Sequence, residues 1–250
     1  VTVLPAELRR AVAEAAHVLS SLGLVTAYGH VSARSGASML ITPAADLALV
    51  TESSLLEVPL SASSLPAGAP AEAWAHLALY RARPDAEAIA RAQPVSAFAA
   101  AATATSLVPL HGQAAWLGES VPVHDGAMLL RSPELADSAA RSLPAGEALL
   151  LRGNGALTLG ATPGIAVTRM WLLSAACEVY LAATAAAGSG SGQVTPLSAA
   201  EVASWRAVRD ELLPRLWQHL RRGHHPGAAA AGTPSGLAAP PAPFARQEQG

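Results

Sequence analysis

Apolar residues recur every three or four positions between residues 6 and 22, with Pro5 near the start and Gly23 just past the end. This is the asymmetry that a helix shows at its two ends. Short apolar runs at 31–34, 38–42 and 55–60 are bounded by Gly, Ser and Pro and read as strands. Helical spacing returns at 72–83 and stops at Pro84-Asp85; residues 86–93 then read as a strand and 96–105 as a helix. A strand pair at 147–152 and 156–160 is broken by Gly153-Asn154-Gly155, and a long helix follows at 163–186. Residues 188–192 form a Gly/Ser hinge, and the last helix, 198–222, carries Pro214, which is expected to kink or interrupt it.

Helix and strand alternate without a regular repeat, which predicts one α/β domain over residues 1–222. From Gly223 onward the chain is Ala, Pro and Gly with almost no large apolar side chains. Such a segment cannot offset the entropy of ordering, so 223–250 is predicted to be a disordered tail, with His224-His225 read as solvated residues at its edge.

Composition narrows the function classes. Hydrophobic residues make up 51% of the 250, enough for a sizeable core, and the formal charge of −2 gives no reason to expect nucleic acid. The longest apolar helical stretch, 171–187, contains Glu178 and Tyr180 and follows Arg169, which suits a packed helix better than a membrane span. No basic start leads into an apolar segment with a small-residue cleavage site, so the expected compartment is the cytoplasm. Cys177 is the single cysteine, set within an alanine-rich helix, and reads as a small core residue.

All sixteen basic residues other than histidine are arginine. Without lysine there can be no Schiff base with a carbonyl substrate or with pyridoxal phosphate, and no Walker-type phosphate loop. No Gly-x-Gly-x-x-Gly run joins a strand to a helix either, so no nucleotide cofactor is expected.

Three motifs carry a family resemblance. Gly29-His30-Val31-Ser32-Ala33-Arg34 is followed by Leu40-Ile41-Thr42-Pro43. Glu72-Ala73-Trp74-Ala75-His76 precedes Tyr80-Arg81-Ala82-Arg83-Pro84-Asp85, and Leu149-Leu150-Leu151-Arg152-Gly153-Asn154-Gly155 comes last. In this order and at these separations, over most of residues 8–186, they resemble the class II aldolase/adducin family. The resemblance implies a three-layer α/β/α fold around a central, mainly antiparallel sheet, and a homotetramer with sites between subunits. It also implies a metal, usually zinc, held by three histidines, and a catalytic glutamate.

The glutamate is matched by Glu72, but the histidine positions carry Arg91, Gln93 and Asn154. A protonated guanidinium has no lone pair for zinc and repels it; amide oxygens are hard neutral ligands that suit calcium better. No metal or other cofactor is therefore expected. Where sugar-phosphate aldolases of the family place small polar donors, this chain has His30, Ala45 and Pro70-Ala71, which argues against a phosphorylated sugar.

The candidate catalytic residues are Glu72 as base, Arg91 as electrostatic replacement for the metal, and His111, in the loop that reaches the family's pocket, as acid or substrate contact. Gly29, His30, Thr42, Gln93 and Asn154 are candidate substrate-binding residues. His76, one turn after Glu72, is read as packing. Glu72 and Arg91 could equally form a structural ion pair, and the two roles are compatible. The expected function is a metal-independent lyase acting on a small carbonyl compound or aromatic acid, by retro-aldol cleavage or decarboxylation, in secondary metabolism. The alternative is an adducin-like non-catalytic scaffold for binding or assembly.

Overall fold

In the computed structural model, which describes residues 5–190 and 192–223, strands of the central sheet alternate their side chains between two separate apolar layers. The eight strands are β1 (His30–Ser35), β2 (Ser38–Ile41), β3 (Leu56–Pro59), β4 (Ala88–Ala92), β5 (Ser106–Leu107), β6 (Val121–His124), β7 (Ala148–Leu151) and β8 (Gly155–Gly160). Their order across the sheet is β3-β2-β1-β4-β8-β7-β6-β5. Every pairing is antiparallel except that of β6 with β7, so the sheet is mainly antiparallel as expected.

The period of two decides which helices cover which face. On β4, Ala88, Ala90 and Ala92 point into one layer and Ile89 into the other; on β7, Ala148 and Leu150 oppose Leu149 and Leu151. The first layer is closed by α1 (Pro5–Ser21), α3 (Val95–Thr103) and α5 (Pro163–Gly188), with α7 (Arg209–Arg222) packed on α5. The second is closed by α2 (Ala73–Ala82) and α4 (Pro133–Arg141), which pack on each other. Small alanines in β4 let α5 approach the sheet closely. Arg91 has the parity of Ile89 and so faces the α2 layer.

Helix α5 is long and apolar enough to cross a membrane. It is nevertheless the central helix of the first layer, with Val167, Met170, Leu172, Leu173 and Cys177 fully buried, as the stretch with Glu178 suggested. Two expectations are corrected. The last helix breaks at Val208, separating α6 (Ala199–Ala207) from α7, and continues through Pro214. The proline ring crowds the carbonyl four residues earlier, at Asp210, so the disturbance falls in the turn before it. Between residues 104 and 146 the chain also forms β5, β6 and α4, none of which the apolar pattern marked. The tail and His224-His225 lie outside the described residues.

Candidate active site

Four features of the chain bring the site together at one end of β4. In the pairing of β1 with β4, His30 lies directly opposite Arg91, and so shares its face. Glu72 is the residue at the N-terminus of α2, the helix that covers that face. Asn154 tops the turn between β7 and β8, beside the end of β4, where Ala92 pairs with Ala156. The turn depends on its glycines: Gly153 and Gly155 have φ of 70° and 85°, and a Cβ on Gly155 would collide with the Ala92 carbonyl oxygen. A side chain at Gly155 would push the turn, and Asn154 with it, away from Arg91.

The three polar side chains close on one another. Arg91 Nη2 lies 2.8 Å from Glu72 Oε2 and donates to Asn154 Oδ1 at 2.5 Å. Asn154 Nδ2 donates to Glu72 Oε1 at 2.7 Å, and the backbone amide of Leu130 donates to the same oxygen at 3.1 Å. Arg91 Nη1 reaches the Tyr28 carbonyl oxygen at 3.3 Å. Arg91 is 3% exposed and Glu72 9%. Burial pulls the Arg91 pKa down and the Glu72 carboxylate opposes the shift, so the ion pair is kept by its partners rather than by solvent. Removing one member of such a pair costs about 3–5 kcal/mol, because the other is left charged and unpaired.

Beneath this triangle lies a second polar group. His76 Nδ1 is 2.7 Å from Ser32 Oγ, which is 2.9 Å from the Tyr80 hydroxyl. The His76 and His30 rings are 5.7 Å apart, and His76 Nε2 and His30 Nδ1 are buried without a partner. Burial, reinforced by Arg91, drives the His76 pKa down to about 3; burial, His76 and Arg91 together hold His30 well below its ordinary range. Both rings are neutral at pH 7. His76 therefore does more than pack, since it is a buried hydrogen-bonding residue.

Glu72, Arg91, Asn154, His30, Gly29 and Gln93 line one cavity of about 520 Å³, which Arg131 and an apolar wall including Ala45, Pro70 and Ala71 complete. Of the sequence candidates, two stand elsewhere. Thr42 is fully buried and ties β1 to the chain after β2, its hydroxyl accepting from Val31 N at 3.2 Å. His111 precedes the 3₁₀ turn Gly112–Leu117, beside α6, where Gly112 packs against Trp205, and it does not line this cavity. Sequence reasoning missed the Leu130 amide and Arg131. Ser132-Pro133-Glu134 just after them was the available signal, for Ser132 caps α4 by accepting from Leu135 N at 3.4 Å.

The donor set does not fit the metal of the expected fold. Arg91 is itself one corner of the triangle and offers only hydrogen-bond donors, and among the described residues no three His, Cys, Asp or Glu are grouped to hold an ion.

This chain belongs to the family of the class II aldolase and adducin N-terminal domain, whose model matches residues 10–181. It is similar to L-fuculose-1-phosphate aldolase from Thermus thermophilus, with 31% identity over 71% of this chain and 95% of that one, and a TM-score of 0.64. An aldolase II superfamily protein from Pseudomonas syringae shares the fold at 21% identity, over 89% and 94% of the two chains, with a TM-score of 0.73. L-fuculose 1-phosphate aldolase from Glaciozyma antarctica does so at 21% identity, over 88% and 91%, with a TM-score of 0.66. No curated protein matches the sequence significantly.

Proposed function

We propose that this chain is a metal-independent carbon–carbon lyase acting on a small carbonyl compound or aromatic acid through an enolate. The observation that carries the reading is the convergence of Glu72, Arg91 and Asn154 on one cavity. In the retro-aldol direction a carboxylate oxygen of Glu72 takes the proton of the substrate's β-hydroxyl group, and the Cα–Cβ bond breaks as the hydroxyl-bearing carbon becomes an aldehyde. The bonding pair passes to the carbonyl, giving an enolate whose oxygen is stabilised by the Arg91 guanidinium. Protonation of the enolate carbon by the Glu72 carboxylic acid restores the base. Arg91 suits this role because its planar fork has five donors, of which the bonds to Glu72, Asn154 and Tyr28 leave some for a ligand.

The alternative, a non-catalytic scaffold, is favoured by the self-satisfied triangle, since a structural ion pair needs no substrate. Deuterium incorporation separates the two. Wild-type protein should exchange the α-hydrogen of a suitable member of a panel of small oxo acids and hydroxy ketones in D₂O, or cleave it. Glu72→Gln should lose that exchange by at least about 10²-fold. No exchange across the panel, or equal exchange in the variant, would leave the scaffold reading in place.

The same proposal includes a homotetramer in the cytoplasm. Tyr28 and Leu129 on the cavity lining and neighbouring Met128 are 69, 48 and 66% exposed, an apolar rim suited to cover by another subunit. Light scattering giving a monomer at micromolar concentration would contradict it.

A further inference from the structure

The charges in the cavity leave one group over. Its charged lining residues are Glu72, Arg91 and Arg131. Glu72 and Arg91 neutralise each other at 2.8 Å, and burial keeps His30 neutral. The exposed Arg131 guanidinium makes no hydrogen bond or ion pair with any described residue. Its backbone is nevertheless held firmly. Leu130 N donates to Glu72 Oε1, Arg131 N donates to Leu129 O at 2.8 Å, and Ser132 caps α4 on the other side. An uncompensated cation is therefore carried on the segment that clamps the proposed base.

We propose that Arg131 determines specificity by holding a spectator carboxylate of the substrate, with bond cleavage taking place at the Glu72, Arg91 and Asn154 end of the cavity. Calling the ligand a substrate rests on the lyase reading above; the binding claim does not. The guanidinium fork can meet either a carboxylate or a phosphate in two parallel hydrogen bonds, so the rest of the cavity decides between them. Apart from the Tyr28 hydroxyl at the rim, the wall at Ala27, Ala44, Ala45, Pro70 and Ala71 offers no side-chain donor to share a phosphate's remaining oxygens and its second charge, which favours a carboxylate. A carboxylate fixed in this ion pair is not the group that is lost, since leaving as carbon dioxide would discharge the pair. The substrate class is thus a small oxo acid whose carboxylate is remote from the reacting carbon.

The test measures binding, not turnover. A panel of 4- and 5-oxo acids, each paired with its uncharged methyl ester, is titrated against the full chain by ligand-observed NMR, with inorganic phosphate as a separate probe. Wild-type protein should bind at least one acid about tenfold more tightly than its ester, the ratio that a hydrogen-bonded charge typically gives. Arg131→Ala should reduce that acid to the level of its ester and leave the ester unchanged, while Arg131→Lys falls between. Equal binding of acid and ester, unchanged acid binding in Arg131→Ala, absence of acid binding to wild type, or tighter binding of phosphate than of any acid would each overturn the proposal. Failure of the deuterium experiment would remove the lyase reading without affecting these affinities.

Discussion

Acid should weaken the fold through His76 by an amount that the structure sets. In the native chain this ring is buried against Ser32, Tyr80, His30 and Arg91, and its pKa is lowered to about 3; in the unfolded chain it titrates near 6.5. Because the folded value is the lower one, the contribution to stability is complete above about pH 6.5 and is lost as pH falls from there toward 3. Between pH 7 and pH 5 the unfolded state takes up most of one proton that the native state refuses, which costs about 2 kcal/mol. His30 behaves in the same sense, and other groups add their own terms, so the total loss in wild type exceeds this figure. The clean quantity is a double difference. Urea unfolding of wild type and His76→Asn at both pH values, at one protein concentration, should show about 2 kcal/mol less acid loss in the variant, whatever its absolute stability. The same loss in both proteins would refute the placement of a neutral, desolvated His76 beneath the site.

Two further outcomes follow from the geometry. Gly155→Ala places a Cβ against the Ala92 carbonyl oxygen at a φ of 85°, and should destabilise by about 2 kcal/mol or more, lowering Tm by roughly 4–8 °C; a shift below about 1 °C would show that the turn can relax. Protein purified without chelator should contain well under one equivalent of zinc, manganese or iron per subunit by elemental analysis, and close to one tightly held equivalent at this site would overturn the metal-free account.

The sequence is most legible where local rules and tertiary structure agree. The strand pair around Gly153-Asn154-Gly155 could be read because two glycines at positive φ mark a turn whichever way the sheet is built. The motifs around Glu72 and Arg91 likewise located the cavity, and the suggested ion pair between them is present. What could not be read was the segment 104–146. Its strands β5 and β6 have two and four residues, too few for a period of two to emerge, and Pro122 inside β6 argues against a strand locally. Helix α4 is short and its apolar face is made of small alanines, so only the Ser132-Pro133 cap announces it. Arg131 and the Leu130 amide were missed for that reason. His111 was placed by analogy alone; it precedes a turn that packs against α6 and does not line the cavity.

Metal-free lyase chemistry requires Arg91 to supply the electrostatic stabilisation that a metal would otherwise give. The most direct measurement is the single-turnover rate of the cleavage reaction, in chelator, for wild type, Arg91→Lys and Arg91→Ala, each first shown to be folded by circular dichroism. Loss of one preorganised donor in a dry site costs about 10²- to 10³-fold in rate. Wild type should keep its full rate in chelator, Arg91→Ala should fall by at least that factor, and Arg91→Lys, which keeps the charge but loses the fork, should lie between. A wild-type rate that collapses in chelator and returns with added zinc, or Arg91→Ala turning over at the wild-type rate, would contradict it.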